Sequence, residues 1–217
     1  MTQTSFQIAE SIEQEIVNGK IPTKSVMFGG DGAVGKTSMF LYYFRDAKEP
    51  QYIPIKVDTD YGPRIYTYKK GGKKVGIYYD DHEGGGEDWH RLSHDGYERA
   101  HVVVLCFSIG SPESFDSIEE YWYLFVKKYA AKAAIVLCGT QKDIRTDEVS
   151  LHYLEKLNQK PITTVEGKKL AQKMNAVGYY ECSTREGKGV KELFNAAAEA
   201  TKPDVSTKSK SEKCLIM

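Results

Sequence analysis

Gly30-Asp31-Gly32-Ala33-Val34-Gly35-Lys36-Thr37 decides how this chain is read. A short apolar run, Val26-Met27-Phe28, leads into it, and residues 37–44 continue as a good helix start. Strand, glycine-rich loop and helix form the setting in which G-x-x-x-x-G-K-[ST] cradles phosphate. The glycines let successive backbone N–H groups turn inward around an anion. Lys36 adds a positive charge near the outer phosphates, and the Thr37 hydroxyl suits a Mg²⁺ ion. Phosphate contacts are therefore expected from Gly30, Gly32, Ala33, Val34, Gly35, Lys36, Thr37 and Ser38.

Outward from the loop, apolar runs recur at residues 26–28, 65–68, 75–79, 102–107, 135–138 and 177–182, with helical segments between them. This alternation predicts an α/β fold with a six-stranded, mostly parallel sheet and helices on both faces. Lys69-Lys70-Gly71-Gly72-Lys73-Lys74 reads as a hairpin turn, so one edge strand is expected to be antiparallel. Ligands of such sheets sit at the carboxyl ends of the strands. The phosphate loop, Asp81, residues 140–143 and Ser183 each follow an apolar run and should converge on one site.

With 217 residues the chain suits one domain plus tails. Its 30 basic residues balance 30 acidic ones, which removes any global drive toward nucleic acid; no nucleic-acid partner is expected. A monomer is expected. Cys106, Cys138 and Cys182 lie in apolar runs and read as small hydrophobes, not as a disulfide framework or metal knuckle. There is no signal-peptide pattern and no apolar stretch of membrane-spanning length, and residue 2 is Thr where myristoylation needs Gly. Cytosolic synthesis is the expectation.

The domain is expected over 24–201. Residues 1–23 form an extension in which Thr4-Ser5-Phe6-Gln7 resembles a capping box, Ile8, Ile12 and Ile16 share a helical face, and Gly19 suits a C-cap. Residues 202–217 read as a flexible polar tail. That tail ends in Cys214-Leu215-Ile216-Met217, a prenylation box whose final Met favours farnesyl on Cys214. A single prenyl chain binds membranes reversibly. Lys202, Lys208, Lys210 and Lys213 add only a sparse basic patch.

Taken together, these residues resemble the small GTPases of the Ras superfamily, and more narrowly the Rho/Rac family, over about residues 24–217. The phosphate loop matches that family residue for residue. Further matches are Tyr52-Ile53-Pro54, Cys106-Phe107-Ser108, Ser111-Pro112-Glu113-Ser114-Phe115, Trp122, Thr140-Gln141-Lys142-Asp143 and Glu181-Cys182-Ser183. Residues 145–160 have the length and place of the Rho-type helical insert. The resemblance implies guanine recognition by Thr140, Gln141, Asp143, Ser183 and Thr184. It also implies Mg²⁺ at Thr37 and Asp81, a phosphate contact at Gly84, and GTP or GDP as bound nucleotide. Rho-type effectors, exchange factors and dissociation inhibitors would be partners. The implied setting is the cytoplasm and the cytosolic face of the plasma membrane, with action on the actin cytoskeleton.

Departures from the family pattern cluster on the nucleotide. Ile55 stands where the family has the Thr that closes over Mg²⁺ and the γ-phosphate. In Asp81-His82-Glu83-Gly84-Gly85-Gly86-Glu87, Gly85 replaces the glutamine that orients attacking water, so no catalytic residue is assigned. Gln141 replaces a lysine that covers the base, Thr184 replaces an alanine, and Lys48 stands in place of an aromatic, with Phe44 one helical turn earlier as a substitute. These changes imply an atypical member with weakened nucleotide affinity and slow hydrolysis. The alternative is a pseudo-GTPase that signals as an interaction module without a nucleotide cycle. A P-loop ATPase or nucleotide kinase is disfavoured by Asp143 and Ser183 at guanine-reading positions.

Overall fold

A computed structural model describes residues 18, 23–45, 64–70, 73–81 and 96–201. The expected N-terminal helix, Lys48, Ile55, Gly84, Gly85 and the tail with Cys214 lie outside these residues.

The six apolar runs all lie in strands: β1 (Thr23–Gly29), β2 (Arg64–Lys70), β3 (Lys73–Asp81), β4 (Val102–Ser108), β5 (Ala134–Thr140) and β6 (Gly178–Glu181). They form one sheet in the order β2-β3-β1-β4-β5-β6. All neighbours are parallel except β2 and β3. The antiparallel ladder runs from Arg64↔Tyr79 to Lys70↔Lys73, with Gly71-Gly72 between the last pair in sequence. The edge strand expected from the lysine-flanked glycines is thus present.

β4 is buried along its whole length and β5 at six consecutive residues, because helices cover both faces. Alternate side chains feed two cores. Val104 and Cys106 join Phe28, Leu193 and Phe194 beneath α1 (Lys36–Arg45) and the last helix. Val103, Leu105 and Phe107 join Trp122, Phe125 and Leu170 on the other face. That face carries α2 (Pro112–Ser117), a π-helical turn (Ile118–Trp122) and α3 (Tyr123–Tyr129), which run on from one another. Two short helices follow β5: a 3₁₀ turn (Lys142–Thr146) and α4 (Glu148–Lys156). α5 (Thr164–Lys173) begins at a complete capping box, Thr163 with Glu166. α6 (Val190–Ala200) lays Val190, Leu193, Phe194, Ala197 and Ala198 on the sheet.

α4 falls within the 145–160 stretch read as an insert. In it Leu154 is buried and Leu151 partly so; Leu157, just past its end, is half exposed, and Val149 and Tyr153 are more exposed still. The three strand cysteines are free and buried. Sγ of Cys138 lies 3.8 Å from that of Cys182. Contacts with Cys106 and Cys182, together with burial, push the Cys138 thiol well up, so it stays a neutral packing group. Among the described residues no helix is long and apolar enough to cross a membrane.

Candidate nucleotide site

β1 buries Val26 to Gly29 and then leaves the sheet at Gly30. Gly30 adopts φ +136°, and a Cβ there would lie 2.1 Å from the carbonyl oxygen of Cys106 in β4. Only glycine satisfies both the dihedral and the approach. Gly35, at φ +93°, makes the second turn into α1. Between them Val34, 2% exposed, plugs the loop into the core. Lys36 opens α1, and its ammonium folds back to donate to the carbonyls of Gly30 (2.9 Å) and Asp31 (2.8 Å). Only 5% of Lys36 is exposed. A helix N-terminus, inward-turning backbone and a buried ammonium thus gather in a short loop, which is the chemistry of an anion cradle. Gly32 and Ala33 are exposed at its tip, and Thr37 and Ser38 are half-buried in the first turn of α1.

The ends of β4, β5 and β6 close the other side. Thr140, 2% exposed, places its hydroxyl 2.5 Å from the Val34 carbonyl and 3.0 Å from that of Phe107, tying the phosphate loop to β5. Gln141 sits in left-handed backbone at φ 54°. Its Oε1 accepts from the Ser108 hydroxyl at 2.6 Å. Its Nε2 lies beside Gly35, 3.6 Å from where a Cβ would stand. The residue in place of the family lysine therefore still reaches the loop. Lys142 N–H donates to the Cys182 carbonyl, which pins the 3₁₀ turn carrying Asp143 to the end of β6. Ser183 is fully buried, exchanges backbone bonds with Lys188, and accepts the Glu186 N–H on its hydroxyl. Thr184 is half-buried beside it. Arg185 brings Nη1 to 3.9 Å from Asp143 and 3.3 Å from Asp147, the N-cap of α4.

A partly buried brace, which the sequence reading did not assign, holds the two base-side loops together. Arg145 makes a two-pronged pair with Glu181, at 2.7 and 2.8 Å, and donates through Nε and Nη2 to the Ile162 carbonyl. The Tyr179 hydroxyl adds a donor to Glu181 at 2.8 Å. Burial alone would raise the Glu181 carboxyl, but hydrogen bonds from Arg145, Tyr179 and Thr164 outweigh it and hold the group down to about 2. Burial and the same carboxylate push Tyr179 up, while the bond to Glu181 raises Arg145. The signal available beforehand was an arginine two residues after Asp143 and a glutamate two before Ser183; their pairing spans 36 positions.

The sign of the pH effect follows from that brace. Glu181 is more acidic folded than its ordinary value of 4.5, so its stabilisation is present above that pH and is lost as pH falls toward 2. The shift converts to about 3 kcal/mol, and solvent screening of this partly exposed pair lowers it to roughly 2 kcal/mol. Urea unfolding at stepped pH is expected to show Glu181→Gln losing that much less stability than wild type between about pH 5 and 2. Arg145→Ala at neutral pH should cost about 3 kcal/mol by leaving the carboxylate unpaired. Equal acid sensitivity of the Glu181→Gln and wild-type chains would remove the brace from the account.

For a cation, Asp81 closes β3 in register with Phe28, the second-last residue of β1, and Thr37 is the second residue of α1. Aspartate and threonine carry hard oxygen donors, and the backbone positions of these two flank the loop. No cluster of three or more His, Cys, Asp or Glu residues suited to a metal occurs among the described residues. This donor set suits Mg²⁺, which takes one or two protein oxygens and completes its shell with phosphate and water.

The sequence model of the Ras family matches residues 24–202. Among curated proteins, GTP-binding protein RHO1 of Candida albicans is 32% identical over 203 residues, covering 93% of this chain and 100% of that protein.

Proposed function

We propose, from the premise that this chain belongs to the Ras family and is a Rho-like small GTP-binding protein, that it is an atypical, membrane-tethered guanine-nucleotide switch with slow hydrolysis. The observation that carries this reading is the Thr140–Val34 contact, which joins the phosphate loop to the strand end bearing Gln141 and Asp143. Backbone N–H groups of the loop and the Lys36 ammonium receive the phosphates. Thr37 and Asp81 would hold Mg²⁺, which when bound neutralises phosphate charge. Asp143 accepts the guanine N1–H and exocyclic N–H, a paired charged contact that adenine cannot supply. Gln141 lies against Gly35 where a lysine stem would cover the base, and a neutral amide there weakens the hold on the nucleotide.

Gly85 offers no side chain to orient water, and Ile55 cannot ligate a hard cation, so hydrolysis is slow and the γ-phosphate has little hold on the segment around Ile55. Farnesyl on Cys214 tethers the protein reversibly to the cytosolic face of the plasma membrane. There it meets Rho-type exchange factors, dissociation inhibitors and effectors that act on the actin cytoskeleton.

Ile55 and the run Gly84-Gly85-Gly86 favour the second reading, a pseudo-GTPase. Protein purified from cells without added nucleotide, denatured, and its released nucleotide counted by anion-exchange chromatography separates the two. GTP in excess over GDP is the expected result, and mostly GDP would mean hydrolysis faster than proposed. A chain that retains no nucleotide and resists loading with Mg²⁺ and GTP would be a pseudo-GTPase.

A further inference from the structure

Asp31 is an odd residue to find in an anion cradle. Its carbonyl already accepts from the Lys36 ammonium at 2.8 Å, so the cation stands beside the residue that carries the carboxylate. A carboxylate paired with Lys36 would compete with phosphate for the charge and repel the anion as well. What holds it elsewhere is Trp122. The indole Nε1–H donates to Asp31 Oδ1 at 2.7 Å, across 91 positions of sequence. Indole nitrogen is donor-only, so it specifies an acceptor and cannot substitute for the ammonium.

The indole is itself firmly seated. Trp122 is 3% exposed and packs edge-on to Tyr121 and Phe125 at 5.3 and 6.1 Å. A Cβ on Gly29 would touch its ring at 3.4 Å, so the ring lies against the strand end that leads into the loop. It closes the π-helical turn Ile118–Trp122, where the helix interrupts its α-helical register. Such turns are uncommon and are frequent at functional sites.

We infer that Trp122 is a positioning residue for nucleotide binding: its indole N–H holds the Asp31 carboxylate off Lys36 and so keeps the phosphate cradle open. This rests on the guanine-nucleotide reading above. It adds a dependence on a helix remote in sequence from the loop.

Release of a fluorescent GDP analogue tests it in four proteins: wild type, Trp122→Phe, Asp31→Ala and the double variant. Phenylalanine keeps most of the ring and removes the donor. The expected result is release about tenfold faster from Trp122→Phe, on the scale of one lost charged hydrogen bond. Asp31→Ala keeps the carbonyl that Lys36 uses and lacks the carboxylate, so it sets the reference rate for the double variant. The double variant should release at that rate, because with no carboxylate there is nothing left to restrain. A packing role for Trp122 would not be suppressed by a change at Asp31, so a double variant as fast as Trp122→Phe overturns the inference, as does an unchanged rate in Trp122→Phe. Trp122→Leu, alone and with Asp31→Ala, serves as the same pair if phenylalanine does not fold. A wild-type chain that cannot be loaded at all would instead overturn the nucleotide reading, and this inference with it.

Discussion

Lys36→Asn is expected to yield a folded protein that retains roughly a hundredth or less of the nucleotide bound by wild type. Lys36 is the loop's one cationic side chain, is 5% exposed, and stands at the first position of α1 where the helix N-terminus already favours anions. A charge contact to phosphate in so shielded a place is worth a few kcal/mol, and each 1.4 kcal/mol is about tenfold in affinity. Its structural role is smaller. The carbonyls of Gly30 and Asp31 lose a shared donor, which costs about 1 kcal/mol and lowers the melting temperature by a few degrees. Anion-exchange analysis of the denatured protein beside a thermal melt reads both quantities. Undiminished nucleotide in the asparagine variant would mean that the phosphates bind elsewhere.

Gly30→Ala acts on the fold itself. The position has φ +136°, a region L side chains rarely adopt, and the added methyl would lie 2.1 Å from the Cys106 carbonyl. That oxygen belongs to a fully buried strand and cannot step aside as a flexible side chain would. β1 must therefore separate from β4 near Gly29↔Leu105, or the loop must be rebuilt. A loss of roughly 3–5 kcal/mol is expected, and a melting temperature lower by about 10 °C or more. Gly32→Ala is the control, since Gly32 is exposed and lacks a positive φ. It should melt within a few degrees of wild type. Equal melting of the two variants would contradict the close approach of loop and strand.

How much of this could be read in advance depended on distance along the chain. The phosphate loop was legible because the eight residues that make it are contiguous and their glycines are demanded locally. All six strands were legible because runs such as Val102 to Phe107 have no polar face to offer and must be covered on both sides. The edge hairpin was legible from its glycine pair. At α4, by contrast, Leu154 and Leu157 are the same residue type three positions apart, and only packing against the domain buries the first and leaves the second, at the helix end, half exposed.

The remaining parts of the site depend on contacts between distant residues. Asp31 and Trp122 meet across 91 positions, Arg145 and Glu181 across 36, Thr140 and Val34 across 106. Composition and periodicity carry no information about such pairs, because an arginine or a tryptophan can satisfy its donors with any acceptor the fold delivers. By itself, then, the sequence determined the α/β class, the phosphate loop and the family, since each is written in local pattern or contiguous motif. The strand order β2-β3-β1-β4-β5-β6, the partly buried brace on the base side and the indole behind the loop were decided only by the tertiary structure. Backbone groups are alike in every strand, so it is the burial of two complementary faces that selects which strands lie together and which polar side chains then find each other.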